Sequence, residues 1–155
     1  TIGGIGEMEE QLRVRIGQLG LQSRVTLTGG LPHEEVLRRM AQSDLFVLPS
    51  WGEGYGIVYI EAMAAGCIAV GVENEGIADT ITDGENGFLV PAADTDAVEA
   101  VMRAVFAHPE AYEALRQKGM RSAHELTWAR NAEKTAEVYR EAIEHWRKEH
   151  AQAGH

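Results

Sequence analysis

The sequence predicts an α/β domain built on a parallel sheet, and three observations predict it. Apolar runs of strand length recur along the chain at Leu45–Leu48, Ile68–Val72 and Phe88–Val90. Segments with helical spacing of apolar residues separate them. Turns rich in glycine or acidic residues follow the strands, at 29–32, 52–56 and 73–76. Strands that alternate with helices pair in parallel, because each crossover helix returns the chain to the same end of the sheet. The expected architecture is Rossmann-like, with three layers.

The elements follow in order. The chain opens Thr1-Ile2-Gly3-Gly4-Ile5-Gly6. Those glycines lack the full dinucleotide fingerprint and the strand that should lead into it, so they read as a loop before a helix. Glu7–Leu19 is predicted helical and amphipathic, with Met8, Leu12, Ile16 and Leu19 on one side and Gly20 as its stop. Val25–Thr28 has the composition of a strand, and Gly29-Gly30-Leu31-Pro32 of the turn after it. His33–Gln42 is predicted helical, with Val36, Leu37 and Met40 inward and His33 exposed. Ile77–Thr82 reads as a short helix closed by Gly84 and Gly87. Phe88–Val90 is a small edge strand ended by Pro91, and Asp94 or Thr95 can cap the helix that runs to about Ala107. A further helix starts at Pro109 and ends near Leu126. The last helix, over 128–150, sets Trp128, Ala132, Ala136, Tyr139, Ile143 and Trp146 on one broad side. Gln152 to His155 reads as a frayed end.

Charge and cysteine content exclude several classes. The 155 residues carry a formal net charge of −10. That argues against nucleic acid, whose phosphates require clustered Lys and Arg, and it gives no attraction to an anionic membrane. Cys67 is the one cysteine, so no internal disulfide framework exists. It lies between a helix and an apolar strand and reads as a buried, inert thiol. No apolar run approaches the roughly 18 residues of a membrane span. A cytoplasmic location is the expectation, with peripheral attachment at the cytoplasmic membrane face left open. The histidines are scattered, and Asp94-Thr95-Asp96 sits at a helix cap, so no metal site and no cofactor are expected.

The chemistry concentrates in residues 44–66. A strand ending at Pro49 leads into a loop with Gly52, Gly54 and Gly56, then into a helix over Ile57–Ala65 that Gly66 stops. In open α/β sheets ligands bind at the carboxyl ends of strands, where such a loop lies. The helix is apolar on nearly all sides and should be buried. Glu61 stands in its middle, and an ionised carboxylate there needs donors. The backbone N–H groups around Tyr55, Gly56 and Ile57 open the helix and suit an anion, and glycines allow it to approach closely.

Glu53 and Glu61 are separated by seven residues. With Asp-Leu-Phe-Val-Leu-Pro-Ser before them, Glu-Gly-Tyr-Gly and Glu-Ala-Met-Ala-Ala-Gly around them, and Asp83-Gly84-Glu85-Asn86-Gly87-Phe88-Leu89-Val90-Pro91 downstream, they resemble the E-x7-E signature of retaining glycosyltransferases of family four. The resemblance covers almost the whole chain. It implies the GT-B fold, with residues 1–155 as the C-terminal nucleotide-sugar-binding domain of a longer enzyme. A strand and at least one βα unit would lie upstream, together with the acceptor domain and the Arg and Lys that neutralise the leaving diphosphate.

The resemblance also implies roles. Glu53 would contact sugar hydroxyls and stabilise the oxocarbenium-like transition state, without acting as a covalent nucleophile. Gly54, Tyr55, Gly56 and Ile57 would receive the diphosphate, Glu61 the ribose, and Leu31 the base. The donor is a substrate, so no cofactor is implied. The acceptor, a carbohydrate or lipid-linked molecule, would bind through the other domain, and the isolated chain is expected to be inactive. Two departures stand out. Ile68 occupies a position where the family has Pro, and Glu75-Gly76 replaces a Gly-Gly pair. Glu75 reads first as a solvated loop glutamate, with contact at the sugar end of the site as the alternative. The last helix would cross to the other domain, and its apolar side predicts a weak homodimer of this chain. Other readings remain: a different GT-B enzyme, such as a nucleotide-sugar epimerase or a phosphorylase, or a regulatory module that binds nucleotide without catalysis.

Overall fold

The structure is a computed structural model that describes residues 1–50, 52 and 54–152. It divides into two compact units, Thr1–Ser43 and Asp44–His155.

In the first unit, α1 spans Glu9–Gln18 and α2 spans His33–Met40. Glu9 and Glu10 occupy the first turn of α1, where the helix dipole favours acids. The amphipathic reading of this helix is only half right. Leu12 and Ile16 are half-buried, but Met8 and Leu19 are exposed. The reason is that the helix is shorter than its apolar pattern, so Met8 and Leu19 fall on the two capping positions. Nor is Val25–Thr28 a strand. Ile2 N–H donates to the Thr26 carbonyl at 2.8 Å and Thr28 N–H to the Ile2 carbonyl at 3.0 Å, which makes a single parallel bridge between Ile2 and Leu27. The ladder does not extend because Gly4, at φ 127°, donates its N–H to the Gly29 carbonyl at 2.9 Å, one residue out of register, where Gly29 itself is left-handed at φ 62°.

The second unit holds the sheet. Strands β1 (Leu45–Val47), β2 (Ile68–Val72) and β3 (Phe88–Val90) are parallel, in the order β1-β2-β3. All five residues of β2 are buried, as expected of a central parallel strand covered on both faces. Successive residues of a strand point to opposite faces, and two core clusters follow from that. On one face Ala69 packs with Tyr59, Met63, Ile77, Ile81 and Ala123, and Phe46 and Leu89 join them. On the other Ile68 packs with Val105 and Leu115, and Leu45 and Phe88 join them. The helices that supply these residues are α3 (Ile57–Ala64), α4 (Thr95–Ala107) and α5 (Glu113–Glu125). This is the α/β three-layer arrangement the sequence predicts.

Local chemistry places the remaining elements. Asp94 caps α4 by accepting from Ala97 N–H at 2.9 Å. Pro109 opens a 3₁₀ turn, Pro109–Tyr112, that leads into α5. The helix expected over 77–82 is instead a 3₁₀ turn, Gly76–Asp79. Asn86 ends that region: its side chain accepts from Thr82 N–H at 2.8 Å and donates to the Thr80 carbonyl at 3.0 Å and the Ser122 hydroxyl at 3.1 Å. Those bonds claim the backbone a longer helix would use, and they explain why a polar residue is buried here. Helix α6 runs Trp128–Gln152, and residues 153–155 of the expected frayed end lie outside the described residues.

Cys67 is buried between α3 and β2. Burial pushes its thiol up to about 11, with Asp44 adding to the effect. No described helix is long and apolar enough to cross a membrane.

Candidate functional site

The site is built where β1 hands over to α3. Tyr59 fixes that junction. It is 1% exposed, its hydroxyl donates to the Leu48 carbonyl, and its ring meets Phe46 edge-on at 5.6 Å. The first turn of α3 is thereby tied to the end of β1, and the chain between them must close as a tight loop.

Glycine makes that closure feasible. Gly56 occupies the N-cap of α3 in the left-handed conformation, at φ 74°. A Cβ there would lie 2.7 Å from the Tyr59 ring. Gly52 is also left-handed, at φ 80°. Among the described residues no side chain caps α3, so its leading N–H groups face the loop. Because the strands are parallel, the loop after β1 and the turn after β2 lie at the same end of the sheet. They touch: the Gly52 N–H donates to the Glu75 carboxylate at 3.0 Å. The solvated-loop reading of Glu75 is therefore corrected, since its side chain is half-buried and engaged with backbone.

The other predicted residues divide as follows. Tyr55 and Ile57 are largely exposed beside the loop. Glu61 sits one turn into α3 and is half-buried. The expectation of a helix buried on every side is corrected. Tyr59, Ala62 and Met63 are buried, while Ile57 is 58% exposed. The reason is an open pocket of about 440 Å³ in front of the helix, into which Tyr55, Ile57 and Ile60 face, opposite Leu126, Trp128 and Lys134. Glu53, the predicted catalytic carboxylate, lies outside the described residues. Leu31 belongs to the first unit and is half-buried. Among the described residues, no three His, Cys, Asp or Glu side chains gather as a metal site would require.

Two positions escaped the sequence reading. One is Glu75 in its contact with the loop. The other is Gly76, where a Cβ would come within 1.9 Å of the Gly54 carbonyl oxygen. The Glu-Gly spelling was visible, but its partner lies 23 residues away in the chain.

A glycine loop at the carboxyl end of a parallel strand, with a helix behind it, places this domain in the open-sheet α/β class, in which ligands bind at such loops. The particular family follows from likeness to known proteins. Residues 1–122 match the family described as glycosyl transferases group 1, and the chain belongs to that family. The putative glycosyltransferase EpsD of Bacillus subtilis is 32% identical over 139 residues, which are 90% of this chain and 36% of EpsD. The glycogen synthase of Pseudomonas syringae pv. tomato is 34% identical over 146 residues, 92% of this chain and 30% of that enzyme. The solved structure of sucrose-phosphate synthase from Thermosynechococcus elongatus superimposes with a TM-score of 0.74 at 26% identity, over 90% of this chain and 37% of that one. The chain thus spans about a third of the length of these relatives.

Proposed function

We propose that this chain is the donor-binding domain of an enzyme that transfers a sugar from a nucleotide-diphosphate donor to an acceptor, with retention of anomeric configuration. The observation that carries the reading is the loop at the head of α3. Gly56 holds a left-handed cap that leaves the leading N–H groups of the helix open, and Glu61 follows one turn later. A helix N-terminus of this kind receives a diphosphate, and a carboxylate one turn in can accept from both hydroxyls of a ribose. Glu53, eight residues before Glu61, takes the sugar end and stabilises positive charge as the donor bond breaks. Gly54, Tyr55, Gly56 and Ile57 shape the phosphate site, and Leu31 contributes to the base site. Membership of the group 1 glycosyl transferases supports these roles. The structure of Anabaena HepE, whose fold is similar at a TM-score of 0.73 and 22% identity, was determined with UDP and glucose bound.

The test is a calorimetric titration with uridine, guanosine and adenosine diphosphates and their sugars, repeated on Glu61→Ala. One base should bind, and the variant should lose about tenfold or more in affinity, as when a charged acceptor leaves a bound hydroxyl pair. Equal affinity in the variant would remove Glu61 from the ribose site. Transfer needs the acceptor side as well, so the 155 residues alone should show none. Retention is read from the anomeric proton couplings of the product made by the complete enzyme. The exposed apolar side of α6, with Trp128, Tyr139, Ile143 and Trp146, is expected to give a weak dimer, and sedimentation across a concentration series would detect it.

A further inference from the structure

We propose that Glu75 is a positioning residue that latches the glycine loop in the shape in which it receives the donor, an inference that rests on the donor-site reading above. Three observations converge on it. The carboxylate accepts from the Gly52 N–H at 3.0 Å, across 23 residues of chain. Gly52 is in the left-handed region, which gives the loop a backbone shape that an unanchored glycine leaves readily. The next residue, Gly76, has no Cβ because the Gly54 carbonyl oxygen occupies that space, and Tyr55 Cα lies 2.9 Å from the same point. Loop and turn therefore meet over two consecutive residues, one bonded and one in close backbone contact.

The turn is a firm base for such a latch. Glu75 is extended, at φ −98° and ψ 165°, and its carbonyl accepts from Ala78 N–H at 2.8 Å. Ile77 is 0% exposed and packs against Tyr59, the residue that ties α3 to β1. Both ends of the loop and the base of the latch thus rest on one core cluster. A hydrogen bond from a backbone N–H to a carboxylate is charge-assisted and stronger than its neutral counterpart. It also commits the Gly52 N–H, so that the donor phosphates are left to the N–H groups of residues 55–57.

The experiment compares wild type, Glu75→Ala and Glu75→Gln on the full chain, with hydrogen exchange at the Gly52 amide and titration of uridine, guanosine and adenosine diphosphates. In Glu75→Ala, Gly52 exchange should rise about tenfold, the effect of losing a charged acceptor, and nucleotide affinity should fall about threefold to tenfold while the thermal midpoint stays near wild type. Glu75→Gln keeps a side-chain carbonyl in place and should restore most of both. Unchanged Gly52 exchange in Glu75→Ala would overturn the latch. Faster exchange with unchanged nucleotide affinity would overturn its positioning role. A wild type that binds no nucleotide, with Gly52 protection still dependent on Glu75, would overturn the donor-site reading and leave the latch standing.

Discussion

Helices α3 and α6 both carry large apolar side chains, and those side chains end in opposite environments. Helix α3 is eight residues long, and its Tyr59, Ala62 and Met63 are at most 1% exposed. Helix α6 is 25 residues long, and Trp128, Tyr139, Ile143 and Trp146 on it are all at least half exposed. Apolar content is one part of the difference, since seven of the eight residues of α3 are apolar against ten of the 25 of α6. Helix α3 is threaded between two sheet strands, so β2 and α5 are bound to cover it. Helix α6 follows α5, and among the described residues no strand or helix packs extensively along it. Which layer packs against a helix, together with how apolar it is, selects the side that becomes core: α4 and α5 also follow the last strand and still lie against the sheet.

That contrast can be broken by substitution, and the largest effect should come from its buried side. Met63→Ala removes a side chain that is 0% exposed and should cost about 3 kcal/mol in urea unfolding, because the cavity cannot collapse fully against α5 and β2. Ile143→Ser on α6 should cost no more than about 0.5 kcal/mol, as exposed substitutions do. Equal losses would show that α6 is covered in solution and would erase the distinction. Next comes Tyr59→Phe, which keeps the ring and deletes the donor to the Leu48 carbonyl. A loss of about 1–2 kcal/mol is expected, with exchange at the head of α3 rising more than in α5.

Chemical labelling sharpens the same comparison without a mutation. Cys67, at the end of α3, has its thiol raised to about 11 by burial, so it should resist iodoacetamide at pH 8 in the folded chain and react fully in urea. Ready labelling of the native chain would mean that the α3 end opens. The smallest effect lies in the first unit. Glu35 on α2 is held at about 2, against an ordinary 4.5, chiefly by its hydrogen bonds from Arg38. A lowered folded value means that the pair adds stability above pH 4.5 and loses it as pH falls through about 2. Carbon NMR of the Glu35 carboxyl should titrate near 2 in wild type and move toward 4.5 in Arg38→Ala.

Much of this was legible from residue order. Ile68–Val72 and Phe88–Val90 are strands over the residues their composition marks, and Gly66 stops α3 at φ 97°. These features are local: β-branched runs, a left-handed stop and an aspartate cap act within a few residues. The failures share the opposite cause. Val25–Thr28 has strand composition but pairs only through Ile2, and a strand needs a partner. The segment 77–82 has helix composition, but Asn86 takes its carbonyl and N–H groups.

For the candidate site the division is similar. Glu61, the loop glycines and the strand-loop-helix order were readable because the chemistry of a helix N-terminus is written in consecutive residues. The tie from Glu75 to Gly52, the crowding of Gly76 against Gly54 and the exposure of Ile57 were not. They join residues that only the parallel sheet brings to one end, and no spacing in the chain encodes that approach. Order along the chain determined which backbone N–H groups open α3 behind a glycine loop. Packing around β2 decided what holds them in place, because a hydrogen bond across 23 residues exists only after the sheet has formed.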